Sequence, residues 1–332
     1  MRRSSLPGVL TAVGGLALLM WMVASVGVSE IVADVRQVGW ALVAIIAIGG
    51  LRFLLRAIAW RMCLEPPHTL SLGSAFAAVV CGDTIGNLTP LGPLVGEPAK
   101  AAFVRGRIPL GPAVTALEIE NVLYTLSAAA MIAAGTVALL VSFQPPSAVR
   151  GVGTLAVAAT LVLFAVALWM LWRQPALISR ALGLAPPLKR HAARMVEIEA
   201  RIYSFASRRR GALPALAAAE LGFHALGIAE SYLTLWVLPG PPPSLLTAFI
   251  LETANRLITV VFKVIPLRLG VDEAGTAYVA QLLGLSTRTG LAIAIVRKMR
   301  MLFWSLAGGA LLIREGFIHR ATQLPQDQIE RG

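Results

Sequence analysis

The sequence predicts an all-α polytopic integral membrane protein built from inverted repeats with two broken, re-entrant helical hairpins, and three observations carry that prediction. Of the 332 residues, 57% are hydrophobic and 14% charged, against roughly 25% charged in an ordinary soluble domain. Apolar stretches of about 20 residues, the length that crosses a bilayer as a helix, recur along the chain. A short pattern occurs twice, as Pro90-Leu91-x-x-x-Val95-x-Glu97 and, 176 residues later, as Pro266-Leu267-x-x-x-Val271-x-Glu273. Proline and glycine break helices and a carboxylate is costly in lipid, so a repeated break with an acid at membrane depth predicts paired polar sites, as in a transporter core.

Spanning helices are predicted at about 9–28, 39–62, 112–142, 152–173, 213–238 and 289–313. The first follows Arg2 and Arg3 in the charge order of a signal peptide. It exceeds an apolar signal core of about 7–15 residues and reads as an uncleaved span. Shorter apolar stretches at about 70–88, 244–264 and 273–285, with a less apolar one at 97–107, form the arms of the two hairpins. The repeat halves are then 39–142 and 213–313, each in the order span, hairpin, span, within a single transmembrane domain covering 1–332.

Basic residues set the orientation. Arg2 and Arg3 place the N-terminus in the cytoplasm, and the loop around Glu30, Asp34 and Arg36 lies outside. Arg52, Arg56 and Arg61, read as flanking the inner end of the second span, agree, as do Lys100, Arg105 and Arg107. The segment 174–211 is a basic cytoplasmic surface segment with Arg180, Lys189, Arg190, Arg194, Arg201 and Arg208-Arg209-Arg210. Met195, Ile198, Ile202 and Phe205 give it the spacing of a helix lying on the membrane. Arg314, His319 and Arg320 bring the C-terminus inside, ahead of a polar tail at 321–332. The rule is obeyed if both hairpins are re-entrant or if both cross fully.

The net charge of +12 is spread over short segments between apolar runs, which argues against nucleic-acid binding and for membrane topology and anionic lipid. Cys63 and Cys81 form no pairing framework and are expected in packing. The polar remainder is expected to leave no room for an appended catalytic domain.

At the first tip, Gly96-Glu97-Pro98-Ala99 predicts a half-helix with Pro98 in its first turn; at the second, Asp272 reads as an N-cap with Glu273 one position on. These acids either cap helices or face a wet cavity, where Glu97 and Glu273 could hold a proton, a cation or an ammonium group while half-helix amides attract phosphate. Asp83, Asn87, Glu252, Asn255 and Arg256 lie in the hairpins; Glu118, Glu120 and Asn121 lie in one following span and Arg297, Lys298 and Arg300 in the other. That basic trio either snorkels or points inward to pair with Glu118, Glu120 or a lipid phosphate. The span 213–238 contains Glu220, His224 and Glu230. Glu220 and His224, four residues apart, are adjacent on a helix, which allows a hydrogen-bonded pair and a proton relay, while structural pairing with Arg or Lys elsewhere is the expected arrangement.

No His-Glu-x-x-His, Gly-x-Ser-x-Gly, P-loop or dinucleotide fingerprint occurs, and His68, His191, His224 and His319 are scattered. No catalytic residue, cofactor or metal is therefore expected. The stretch from Asn87 through Pro90, Gly96 and Glu97 to Lys100, with Pro266, Gly270, Glu273 and Arg297, resembles the lysylphosphatidylglycerol synthase transmembrane-domain family, also described as flippase-like. The resemblance covers about 10–313. It implies a bacterial inner-membrane protein that handles lipids. Members with a C-terminal transferase aminoacylate phosphatidylglycerol and move the product across the bilayer; others lack it, some of them encoded with hopanoid biosynthesis.

The expected function is binding and transbilayer translocation of a lipid or lipid-linked substrate, without enzymatic activity. The expected partners are anionic or aminoacylated phospholipids or an isoprenoid-type lipid, with homo-oligomerisation left open and no nucleic acid. The expected substrate-binding residues are Asn87, Glu97, Glu118, Glu120, Arg256, Glu273, Arg297, Lys298 and Arg300, around tips formed by Pro90, Gly96, Pro266, Gly270 and Asp272. The rival readings are a non-transporting lipid-binding partner of a biosynthetic enzyme and an intramembrane enzyme acting on lipid phosphates.

Overall fold

The computed structural model describes residues 20, 28–89, 92–174, 189–262 and 265–314. Most of the span expected at 9–28, Pro90 and the polar tail lie outside the described residues. The helices are α1 (Val28–Val38), α2 (Ala41–Cys63), α3 (Leu72–Leu88), α4 (Gly92–Phe103), α5 (Leu110–Phe143), α6 (Ser147–Arg173), α7 (Lys189–Arg208), α8 (Leu213–Val237), α9 (Leu245–Val261), α10 (Val271–Leu282) and α11 (Thr287–Arg314). There is no strand among the described residues.

The chain is an all-α, multi-pass membrane protein. Four helical segments, Ala41–Cys63, Leu110–Phe143, Ser147–Met170 and Arg210–Val237, are long and apolar enough to cross a bilayer. Helix α11 is equally long at 28 residues, but Arg297, Lys298 and Arg300 interrupt its hydropathy. Helix α6 leaves most of its apolar surface exposed, the condition of a helix facing lipid. One expectation is corrected here: the segment with Glu30, Asp34 and Arg36 is not a loop but helix α1. Asp34 ties it to α11, its two carboxylate oxygens each accepting from Arg288 at 2.6 Å.

Each pair of long helices encloses a hairpin. In both hairpins, α3/α4 and α9/α10, the first arm has 17 residues and the second 12. At about 1.5 Å per residue these arms are about 25 and 18 Å long, less than the roughly 30 Å hydrocarbon core. The feet of α3/α4 are packed in an apolar cluster with Cys63, Leu64, Phe103, Val104, Ala113 and Leu216. The feet of α9/α10 are packed in a second cluster with Val38, Ile45, Leu235, Leu283 and Ala292, at the opposite ends of α2 and α8.

Helices in lipid gain little from hydrophobic contact and associate through close packing of small residues. The arms of the first hairpin do so through Gly82 and Gly86 against Gly92 and Gly96. A Cβ at Gly96 would lie 2.7 Å from the Gly82 carbonyl oxygen, and one at Gly92 would fall on the Gly86 carbonyl. Between α2 and α11, Trp304 receives Phe53 and Phe76 edge-on, at 5.5 and 5.9 Å between centroids. Its Nε1–H donates to the Ile46 carbonyl at 3.0 Å.

The basic surface segment contains α7, on which Phe205 is buried and Ile202 packs against the first cluster. Its C-terminal end is fastened by Arg208 to Glu65 at 2.9 Å and by Arg209 to the Met62 carbonyl at 3.4 Å.

Candidate functional site

Both hairpin tips end at one cavity of about 600 Å³ between the two apolar clusters. From the first hairpin it receives Asp83, Asn87, Gly92, Gly96 and Glu97, and from the second Ile265, Leu267, Arg268 and Asp272. Helices α2, α5, α9 and α11 supply most of the remaining wall.

The first tip differs from expectation in where its second arm begins. Helix α4 starts at Gly92, so Pro93 occupies the early position expected of Pro98, and Pro98 lies inside the helix. Lacking an N–H, Pro98 leaves the Leu94 carbonyl without its helical donor, and Leu94 and Pro98 both line the cavity. Glu97 therefore sits mid-arm rather than at a helix start. It accepts from Lys100 Nζ at 2.6 Å and from Asn121 Nδ2 at 3.0 Å.

The second tip is a left-handed turn. A 3₁₀ turn spans Pro266–Arg268, and Leu267, Arg268 and Gly270 have φ of 54°, 48° and 79°. Left-handed backbone costs a non-glycine residue about 1–2 kcal/mol, so something must hold Leu267 and Arg268 there. Lys298 does, donating to the Leu267 carbonyl at 2.5 Å and pairing with Asp272 and Glu273 at 3.3 Å each. Gly270, not Asp272, is the N-cap of α10. Its N–H donates to Glu273 Oε2 at 2.8 Å. Glu273 is buried behind the wall as a cap and does not line the cavity. Asp272 does line it, paired with Arg268 at 3.2 Å.

Eight cationic side chains line the cavity, Arg52, Arg56, Lys100, Arg256, Arg268, Arg297, Lys298 and Arg300, against four acids, Asp83, Glu97, Glu118 and Asp272. Four further carboxylates, Glu120, Glu230, Glu252 and Glu273, are almost fully buried and pair with these cations from behind. Glu252 receives Arg256 at 3.0 Å, Arg52 at 3.3 Å and Arg297 at 3.5 Å. Its side chain rests against Gly227, where a Cβ would lie 2.5 Å from Oε1. Glu230 receives Arg300 at 2.7 Å and Arg52 at 3.2 Å. On the α2–α5 side, Arg56 pairs with Glu120 at 2.7 Å and donates to Asn121 Oδ1 at 3.1 Å.

Aromatic faces complete the wall. The Arg52 and Arg256 guanidinium carbons lie 4.5 and 4.8 Å from the Phe223 ring centroid, and Arg56 lies 4.0 Å from that of Tyr124. Arg256 also donates to the Tyr124 hydroxyl at 2.9 Å. Arg297 donates through Nη2 to Ser231 at 2.8 Å, while its buried Nη1 and the buried Nε of Arg256 have no hydrogen-bond partner. Buried donors are normally satisfied. Both of these unfilled donors belong to arginines that line the cavity, and guanidinium geometry suits phosphate.

Of the sequence-predicted residues, Asn87, Glu97, Glu118, Arg256, Arg297, Lys298 and Arg300 are brought to one cavity, with Gly96 and Asp272 from the tips. Glu120 and Glu273 lie behind it; Gly270 caps α10 and Pro266 opens the 3₁₀ turn. Asn87 donates to Asp83 Oδ2 at 2.8 Å, and Glu118 is exposed to the cavity. The basic trio pairs with Glu230, Glu252, Asp272 and Glu273 rather than with Glu118 or Glu120.

Sequence reasoning missed Arg52 and Arg56, taken as topological charges and found buried at the site. The signal was their spacing of four within the apolar stretch 39–62. Tyr124 and Phe223 carried no signal beyond their hydrophobicity. Glu220 and His224 are not bonded to each other directly: Ser127 Oγ donates to Glu220 Oε2 at 3.0 Å and lies 3.0 Å from His224 Nε2.

No curated protein and no solved structure matches the chain. A family does, described as the lysylphosphatidylglycerol synthase TM region and matching residues 8–309, which include both hairpins and every wall of the cavity. The chain belongs to the lysylphosphatidylglycerol synthase TM region family.

Proposed function

We propose that this chain binds the phosphate-bearing headgroup of a membrane lipid in the central cavity and moves that lipid between leaflets. The observation that carries the reading is the sorting of charge at the cavity wall. Eight cations line it while four of the carboxylates that pair with them stand behind it, and two arginine donors remain unfilled. An ionised group at membrane depth is costly and marks a substrate path by default. A phosphate would accept from the lining arginines, Arg256 and Arg297 among them, and Glu97, Glu118 and Asp83 would face a cationic part of the headgroup across the cavity.

The hairpins support movement as well as binding. Arms shorter than the hydrocarbon core, with feet in apolar clusters at opposite ends of the bundle and tips at one cavity, fit re-entrant hairpins in two oppositely oriented repeats. Rocking one repeat against the other would expose a midplane site alternately to each side. The exposed Arg105 and Arg107, with α7 and Arg208, gather at the feet of the first hairpin and fit a cytoplasmic face of a bacterial inner membrane. The site reads as binding rather than catalytic, because most of its carboxylates are engaged by arginine or lysine.

The test is reconstitution in liposomes with labelled anionic, zwitterionic and aminoacylated phospholipids and a polyprenyl phosphate. Accelerated movement of at least one phosphate lipid, lost in Arg297→Ala, is the expected result. Equal rates with and without protein for every lipid would remove the translocation reading.

A further inference from the structure

Seven carboxylates among the described residues are buried: Asp34, Glu120, Glu220, Glu230, Glu252, Asp272 and Glu273. Six have an arginine or lysine within ion-pair distance. Glu220, on the membrane-spanning helix α8, is the exception, and its hydrogen-bond partner is the Ser127 hydroxyl at 3.0 Å. Burying an ionised carboxylate without a counter-charge costs far more than one neutral donor returns. The same hydroxyl touches His224 Nε2 at 3.0 Å, and His224 Nδ1 is buried without a partner.

Other groups at this cluster are already engaged or unsuited to balance it. From α2, Arg52 and Arg56 lie within electrostatic reach, but Arg52 is committed to Glu230 and Glu252 and Arg56 to Glu120. Cys63 of α2 also feels Glu220, and Arg209 acts on that end of α2. From α5 come Glu120, which adds negative charge, and Tyr124, whose ring stacks on His224 at 6.3 Å. Tyr124 and Phe223 separate His224 from the cavity they line. Ser127 is half-buried.

From this geometry we infer that Glu220, Ser127 and His224 form a proton-binding site, distinct from the headgroup cavity, whose occupancy drives lipid movement. The consequence for lipid rests on the proposed translocation; the binding of the proton does not. In transfer, the proton on Glu220 Oε2 passes to Ser127 Oγ as the hydroxyl proton of Ser127 passes to His224 Nε2. That leaves a carboxylate, a neutral hydroxyl and an imidazolium. Arg56 transmits the change in field, because it bonds Asn121, which in turn holds Glu97 of the first hairpin.

Two measurements test this on the full chain. Infrared difference spectroscopy of the purified protein in detergent, titrated with pH, is expected to show a carboxylic-acid C=O stretch that Glu220→Gln removes. If that variant leaves every such band in place, the proton site does not exist, whatever the lipid result. Proteoliposomes with an imposed pH gradient then read the coupling. With one proton per lipid, each pH unit is expected to shift the steady-state leaflet ratio of the moved lipid by up to about tenfold. Glu220→Gln and His224→Phe should move lipid at the gradient-free rate with a ratio near unity. No gradient effect in the wild type, or an equal effect in Glu220→Gln, overturns the coupling. A band at Glu220 with no lipid movement in any liposome sinks the translocation reading instead and, with it, the driving role, leaving a proton site alone.

Discussion

Arg52 and Glu252 are 200 residues apart in the chain and 3.3 Å apart in the fold, and the same guanidinium reaches Glu230 at 3.2 Å. One side chain of α2 thus joins α8 to α9. Because Glu252 also holds Arg256 and Arg297, the five residues form a unit at the cavity wall. Removing one member leaves uncompensated charge inside the bundle.

Glu252→Ala is expected to destabilise the protein by about 3–5 kcal/mol, the usual cost of breaking a buried pair from one side. Thermal unfolding followed by size-exclusion chromatography in detergent checks it. An unchanged midpoint would mean that the three arginines find other partners.

Arg297 donates to Ser231 and keeps Nη1 free, a division that one ammonium group cannot copy. Arg297→Lys should therefore weaken binding of a phosphate lipid by about tenfold or more, given about 1.5–3 kcal/mol for a hydrogen bond to a charged group. Titration of the purified protein with short-chain phospholipid reads the affinity, and wild-type binding by the lysine variant would refute the assignment.

In the first hairpin, Gly92→Ala places a methyl group on the Gly86 carbonyl and should cost about 1–3 kcal/mol. Gly73→Ala on the same hairpin meets nothing within 4 Å and should gain about 0.5–1 kcal/mol from helix propensity. Comparing the two melting temperatures separates packing from propensity. The idea fails if both variants move in the same direction.

Lys298→Met removes the donor that holds the Leu267 carbonyl and the charge that faces Asp272 and Glu273. Amide exchange across 265–273 should accelerate by tenfold or more, about 1.4 kcal/mol of lost protection, while the first hairpin stays as protected as in the wild type. Unchanged exchange at the second tip would show that the left-handed turn holds itself.

Local chemistry made much of this molecule legible from its sequence. The stretches expected at 39–62, 112–142, 152–173, 213–238 and 289–313 are the helices α2, α5, α6, α8 and α11, the first four of them apolar enough to cross a bilayer, because twenty apolar residues in lipid satisfy their backbone best as a helix. The duplicated Pro/Gly/Glu pattern located both hairpins, since proline and glycine act on the backbone at the positions where they stand. Membrane depth alone was enough to suspect Glu97, Arg256, Arg297 and Lys298.

Rotation and partnership were not legible in the same way. Arg52 and Arg56 read as flanking charges until α2 was seen to turn them toward Glu252, Glu230 and Glu120. Glu273 carries the motif of Glu97, yet Gly270 and Lys298 draw it behind the wall. Glu220 was expected to meet a cation and instead meets Ser127. Lipid is as apolar as the helix surfaces it surrounds, so hydropathy does not encode which face of a helix turns inward. Small-residue contacts and long-range ion pairs decide that, and both exist only once the helices are packed.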